Sequence, residues 1–220
     1  MPRLFTLAAI LFCLVAVTYA EKRADNPDKA KLVADYESVG IVVVRHSFFN
    51  AAKDALAAEK DYKAPKEILA DRLLITKDGV MSFLEAPQNK KLLEKIEPGS
   101  AVKVKGKIYR PGSLLLLDEA TAQTEKPDID TTRFSNAAGA KTSFAGANQC
   151  QCALDLAGLP TSCKLGHLHH LKVGEVLYHY LPIGTGAKAL MGEKSHNTNV
   201  TVEALVLPGN QLLVTSIKKD

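Results

Sequence analysis

Between Lys66 and Thr124 the apolar and polar positions alternate, break at turn residues, and alternate again. The stretch EILADRLLITKDGVMSFLEA predicts two strands around Lys77-Asp78-Gly79, because Asp-Gly supplies the positive φ of a tight hairpin. In APQNKKLLEKIEPG, Leu92, Leu93 and Ile96 recur at helical spacing and predict a short helix ended by Pro98-Gly99. In SAVKVKGKIYRPGSLLLLDEA, Val102, Val104, Gly106 and Ile108 alternate with Lys103, Lys105 and Lys107. That period predicts a strand with one buried face and one lysine face, a turn at Arg110-Pro111-Gly112, and a second strand. Strand, strand, helix, strand, strand around a half-buried sheet is the order of a small β-barrel.

The flanking stretches are patterned differently. Residues 21–65 start polar, then give the β-branched run Ile41–Val44, suited to a buried strand, and an Ala-rich helix that Asn50 is placed to cap. His46, beside that strand, reads as a partly buried structural side chain. Residues 125–147 are rich in Pro, Asp, Thr, Ser, Asn, Gly and Ala and read as a linker or long loop. Residues 148–220 echo the barrel stretch. LHHLKVGEVLYHYLPIG can be laid on LLEKIEPGSAVKVKGKIYRPG, or VTVEALVLPGNQLLVTSI on VKVKGKIYRPGSLLLLDEA, but the two alignments need an insertion to hold together. A second β-rich unit is the expectation.

The V-K-V-K-G-K-I stretch behind its EPGS turn resembles the middle of an OB-fold barrel of the kind found in exported bacterial proteins. Pattern and resemblance together imply a mainly β (α+β) chain, two small OB-like β-barrel units after an N-terminal strand–helix segment. Many such barrels bind oligonucleotides or oligosaccharides, which would give Lys103, Lys105 and Lys107 a role. A solvated strand face explains the same lysines without a ligand, and that explanation is preferred.

The N-terminus changes the compartment. MPRLFTLAAILFCLVAVTYA has Arg3, an apolar run from Leu4 to Val17 and Thr18-Tyr19-Ala20 before charged residues, the order of a secretory signal peptide. The run is short for a membrane span, and Phe12 before Cys13 argues against lipidation. Residues 1–20 are therefore expected to be removed, leaving a secreted or periplasmic chain. The full sequence has a formal net charge of +4 with a pI near 8.8, but the basic residues are scattered among acids. Nucleic acid and anionic membranes need concentrated charge, so neither is an expected partner.

Candidate chemistry sits between Cys150 and His179, where Cys150, Cys152, Cys163, His167, His169, His170 and His179 crowd together. Three readings compete. The first is a metal site of Cys150, Cys152, Cys163, His167, His169 and His170 for Zn²⁺ or copper, the ions that thiolate and imidazole suit. The second is a disulfide, Cys152–Cys163 closing a hairpin-sized loop worth roughly 3 kcal/mol in loop entropy. The third is a cysteine-dependent or thiol-redox enzyme, with Asp155 and Glu175 as the nearby acids. No GxSxG, HExxH or CxxCH occurs, and Gly184-Thr185-Gly186 lacks the pattern of a phosphate loop. The crowd of histidines, more than a disulfide needs, favours metal. His179 shares an apolar strand face with Leu177 and Leu181 and reads as a hydrogen-bonded core histidine, while His196 in GEKSHNTN reads as exposed. The expected function is binding rather than catalysis, with a purely structural envelope protein as the remaining alternative.

Export should remove the leader after Ala20. Intact-mass analysis of the exported chain is expected to give a species starting at Glu21; a mass retaining residues 1–20, or an acylated Cys13, would defeat this.

Overall fold

Each hairpin-rich stretch curls until its fourth strand meets its first. The computed structural model describes residues 34–59, 71–151, 169–191 and 195–219, all within the unit Leu32–Asp220. Strands β1 (Ala34–Val44), β2 (Arg72–Thr76), β3 (Val80–Phe83), β4 (Ala101–Tyr109) and β5 (Leu114–Gln123) close a barrel in the order β1-β2-β3-β5-β4. Strands β6 (Ala140–Cys150), β7 (His169–Val173), β8 (Val176–Tyr180), β9 (Thr198–Leu207) and β10 (Gln211–Lys219) close a second as β6-β7-β8-β10-β9. In each, the third and fifth strands pair in parallel and a helix, Lys90–Lys95 or Gly184–Leu190, links the third to the fourth. The fold is thus mainly β, two OB-like barrels entered through a strand and then a helix. No helix of the described residues is long and apolar enough to cross a membrane.

The repetition extends to register. Val44 faces Arg72 where Cys150 faces His169, and Leu73 faces Ser82 where His170 faces His179. The fifth strands bulge at matching places, with Asp118 and Thr215 as the extra residues. The RLLITKDGVMSF hairpin therefore corresponds to HHLKVGEVLYHY, and the alignment matching Pro208-Gly209 to Pro111-Gly112 is the one the fold obeys. The other alignment, which sets Val173-Gly174 on Pro98-Gly99, fails because it lays the strand His169–Val173 on the end of the helix Lys90–Lys95 and the turn behind it.

Two further expectations are corrected. Residues 140–147 of the stretch that reads as linker are the first eight of β6, where exposed Lys141, Ser143 and Ala145 alternate with partly buried Thr142, Phe144 and Gly146. Asn50 caps nothing; it opens a 3-10 turn, and its amide donates to Asn136 Oδ1. The lysine comb is a solvated strand face, the preferred reading. Lys103, Lys105 and Lys107 reach Glu37, Glu119 and Asp35 on neighbouring strands at 2.6, 3.4 and 3.0 Å. Exposed pairs of this kind add little stability, but they balance the charge.

Each barrel has its own interior: Val42, Leu74, Phe83, Val104 and Leu117 in the first, Leu171, Tyr180, Val202 and Leu212 in the second. A third cluster belongs to both. Leu73, Ile75 and Val80, turned outward from the first barrel, pack on Leu181, Ile183, Leu207 and Leu213 of the second. Leu177 fills a smaller joint against Tyr109 and Leu114.

Closing so small a barrel forces the first strand onto the second. At Gly40 an added Cβ would lie 2.6 Å from the Ile75 carbonyl oxygen, and at the matching Gly146 it would lie 2.5 Å from that of Lys172. Backbone cannot give way as a flexible side chain can. Gly40→Ala and Gly146→Ala should each cost roughly 1–3 kcal/mol in denaturant unfolding. Wild-type stability in either variant would show that the strands do not meet this closely.

Candidate metal centre

Antiparallel pairing sorts the residues at the end of β6 and the start of β7. Cys150 lies opposite His169, and Gln149 opposite His170. Opposed residues share a face and the next pair takes the other. Cys150 and His169 thus turn together toward the helix Gly184–Leu190, where His196, just before β9, joins them. One ligand atom from each of the three lies within 4.8 Å of the others. Cys150 is 2% exposed and His169 5%, while His196 is half-buried. The two imidazoles meet edge-on, 4.6 Å between centroids.

Hydrogen bonds around the three select the ring atoms. Asn148, fully buried, donates from Nδ2 to the Leu190 carbonyl at 2.8 Å and to the Ser195 carbonyl at 2.7 Å. Both of its amide hydrogens are then committed. His169 Nδ1 also contacts the Leu190 carbonyl, which can only accept, so Nδ1 carries the proton. The ring's metal-binding lone pair is therefore on Nε2, the arrangement in which a backbone carbonyl orients a ligating histidine. Asn148 also holds Ser195, and so positions the residue before His196. In the first barrel Arg72 stands where His169 does, and its guanidinium donates to the Leu93 and Ile96 carbonyls at the end of the matching helix. The same position thus fastens helix to barrel twice, once by a cation and once by a histidine.

Of the six ligands the sequence nominates, the structure brings together Cys150 and His169. Cys152, Cys163 and His167 lie outside the described residues, as does the Cys152–Cys163 bridge; among the described residues no disulfide is seen. His170 does not join, because strand alternation turns it to the opposite face. His196 was read as exposed and is instead the third member. Its distance in sequence from Cys150 hides it.

His170 has other work. On the outer face of the second barrel it pairs with His179 through their Nδ1 atoms at 2.8 Å. His179 Nε2 donates to the Gly112 carbonyl of the first barrel, so its Nδ1 accepts and His170 donates. Arg45, buried behind them, donates to Ser82 Oγ at 2.7 Å, and Gln211 donates to the same oxygen at 3.0 Å. Tyr109 donates to the Glu175 carbonyl at 2.8 Å and Asn210 to that of Pro111 at 2.9 Å. The histidines are thus part of a buried polar lock between the barrels. Burial first, and then the Arg45 charge, push the His179 imidazole down to about 3 against the raising effect of its bond to Gly112. Burial also holds His170 well below its usual value, helped by His179, Arg45 and His169. His46, expected to be structural, is partly buried and bonded to Asp71 through Nδ1 and its backbone N–H.

Comparison with known proteins finds no family model, no curated protein and no solved structure that matches this chain. The functional reading therefore rests on the site itself.

The lock makes stability pH-dependent with a definite sign. Above about pH 7 the histidines are neutral in both folded and unfolded chains; below about 6.5 the unfolded chain takes up protons that the fold refuses. Stability conferred by neutral His179 is present at high pH and lost as pH falls from about 6.5 toward 3. The limiting slope is roughly 1.4 kcal/mol per pH unit per histidine. Denaturant unfolding of chelator-treated protein should show this loss, and His179→Gln should flatten it. An unchanged slope in the variant would place the acid sensitivity elsewhere.

Proposed function

We propose that this chain is an exported metal-binding protein that holds one soft or borderline ion, copper or zinc, at Cys150, His169 and His196. The observation that carries the reading is the convergence of a thiol and two imidazoles within 4.8 Å, two of the three side chains buried. A buried thiol between two imidazoles suits few tasks other than metal binding, and the carbonyl behind His169 Nδ1 is the support such a ligand requires. The leader-like N-terminus and the resemblance to OB-like barrels of exported bacterial proteins support a periplasmic or secreted location. Among the described residues no carboxylate belongs to the group of three, and we hold a cysteine-dependent enzyme as the second reading.

Reduced protein, purified without an affinity tag, should bind one equivalent of metal in competition with a chromophoric chelator. Thiolate and neutral imidazole are the binding forms, so uptake should release protons and weaken in acid. Cys150→Ser and His196→Ala should each lose more than the roughly 10–100-fold that removal of an outer hydrogen-bonding partner costs. His46→Gln, in the other barrel, should match wild type. Wild-type affinity in Cys150→Ser would end this assignment.

A further inference from the structure

We infer that the joint between the barrels carries a binding site for a small phenol, in the cleft beside Val80 and Gly209. The site is separate from the metal centre and does not rest on it.

The joint is built twice. The turn after β4 crosses the second barrel at Leu177, where a Cβ added to Gly112 would lie 3.0 Å from that of the leucine. The turn after β9 crosses the first barrel at Val80, and the matching distance from Gly209 is 2.8 Å. Val80 and Leu177 hold the same place, since Val80 faces Ile75 as Leu177 faces Lys172. Ser113 and Asn210 match as well. Both have positive φ, 48° and 57°, and their carbonyls accept from the Ser82 and His179 N–H groups at 2.8 Å each. Asp78 and Glu175 are each the second residue of a hairpin turn, one between Thr76 and Gly79, the other between Val173 and Val176. Each barrel thus lays a turn on the other in the same manner, as the halves of a two-fold pair do.

The two joints are filled differently. At Gly112 the buried ring of Tyr109 lies against the turn and against Leu177, and its hydroxyl donates to the Glu175 carbonyl at 2.8 Å. Asn210 closes the rest by donating to the carbonyls of Pro111 and Leu177. At Gly209 the place of Tyr109 falls to Leu207, which faces Gln211 as Tyr109 faces Leu114. The place of Asn210 falls to the shorter Ser113. Leucine has neither a ring nor a hydroxyl to send toward Asp78.

A cleft of about 610 Å³ opens at this second joint, with Asp78, Val80, Ser113 and Gly209 in its wall. That volume is in the range that holds small molecules. Tyr36 and Phe134 add aromatic surface to the lining, which suits a flat ring. The other joint shows what such a place accepts: an aromatic ring against the glycine turn, its hydroxyl directed at the hairpin carbonyl. Here that carbonyl belongs to Asp78. A carbonyl only accepts, so a ring without a donor forfeits the contact.

The test uses the ¹⁵N-labelled mature chain, titrated separately with p-cresol, which is the tyrosine side chain as a free molecule, and with toluene. Binding is read from amide shifts. The expected result is saturable p-cresol binding with shifts centred on Gly79, Met81, Ser113 and Gly209, and toluene weaker by roughly tenfold, the worth of one hydrogen bond. Leu207→Tyr supplies the ring from the chain itself and should abolish the shifts. Tyr109→Ala empties the filled joint and should add a second p-cresol, seen at Gly112 and Glu175. Shifts that do not saturate, or that centre away from the cleft, overturn the site. Toluene bound as tightly as p-cresol overturns the phenol, and undiminished binding in Leu207→Tyr overturns the placement. If either variant fails to fold, the shift map and the p-cresol to toluene ratio of the wild-type chain decide alone.

Discussion

The register of β6 against β7 is the constraint on which the rest of the second barrel depends. Cys150 opposite His169 and Gln149 opposite His170 divide the pair's chemistry between two faces. One face gathers a thiol and an imidazole under the helix Gly184–Leu190; the other presents an imidazole to the neighbouring barrel. A slip of one residue would exchange the faces, putting His170 under the helix and leaving the barrel joint without its histidine. The close approach at Gly146 opposes such a slip, since only glycine fits where β6 crosses the Lys172 carbonyl.

Comparison of the two barrels shows what repetition leaves open. Leu73 and Ser82 of the first occupy the places of His170 and His179 in the second, and Val44 and Arg72 those of Cys150 and His169. The backbone is served equally by either set. In the first barrel the helix end is held by the Arg72 guanidinium. In the second the same duty falls to a histidine with a further nitrogen to offer, and a metal centre becomes geometrically accessible at a place where the first barrel has none.

The sequence disclosed periodic structure well and long-range convergence poorly. The Lys77-Asp78-Gly79 hairpin, the short helix closing at Pro98-Gly99 and the alternation from Val102 to Ile108 are local, and their spacing alone specifies them. The burial of His179 was legible for the same reason, as a polar residue on an apolar strand face. What eluded reading depends on contacts far apart in the chain. His196 sits in a polar stretch with no period, and only barrel closure carries it to Cys150. Asn148 gave no signal because a buried asparagine and an exposed one look alike in one sequence. The beginning of β6 reads as linker because its outer residues, Lys141, Ser143 and Ala145, are of the kinds common in loops.

The apolar seam shared by the barrels has a consequence for how the molecule comes apart. Leu73, Ile75 and Val80 belong structurally to one barrel but are covered by the other, so separating the halves would expose core-grade surface on both. The halves should therefore melt in a single cooperative transition. A ligand that binds only the folded second barrel draws the whole equilibrium toward the native state. An ion bound at Cys150, His169 and His196 would thereby stabilise residues it never touches, including the far wall of the first barrel.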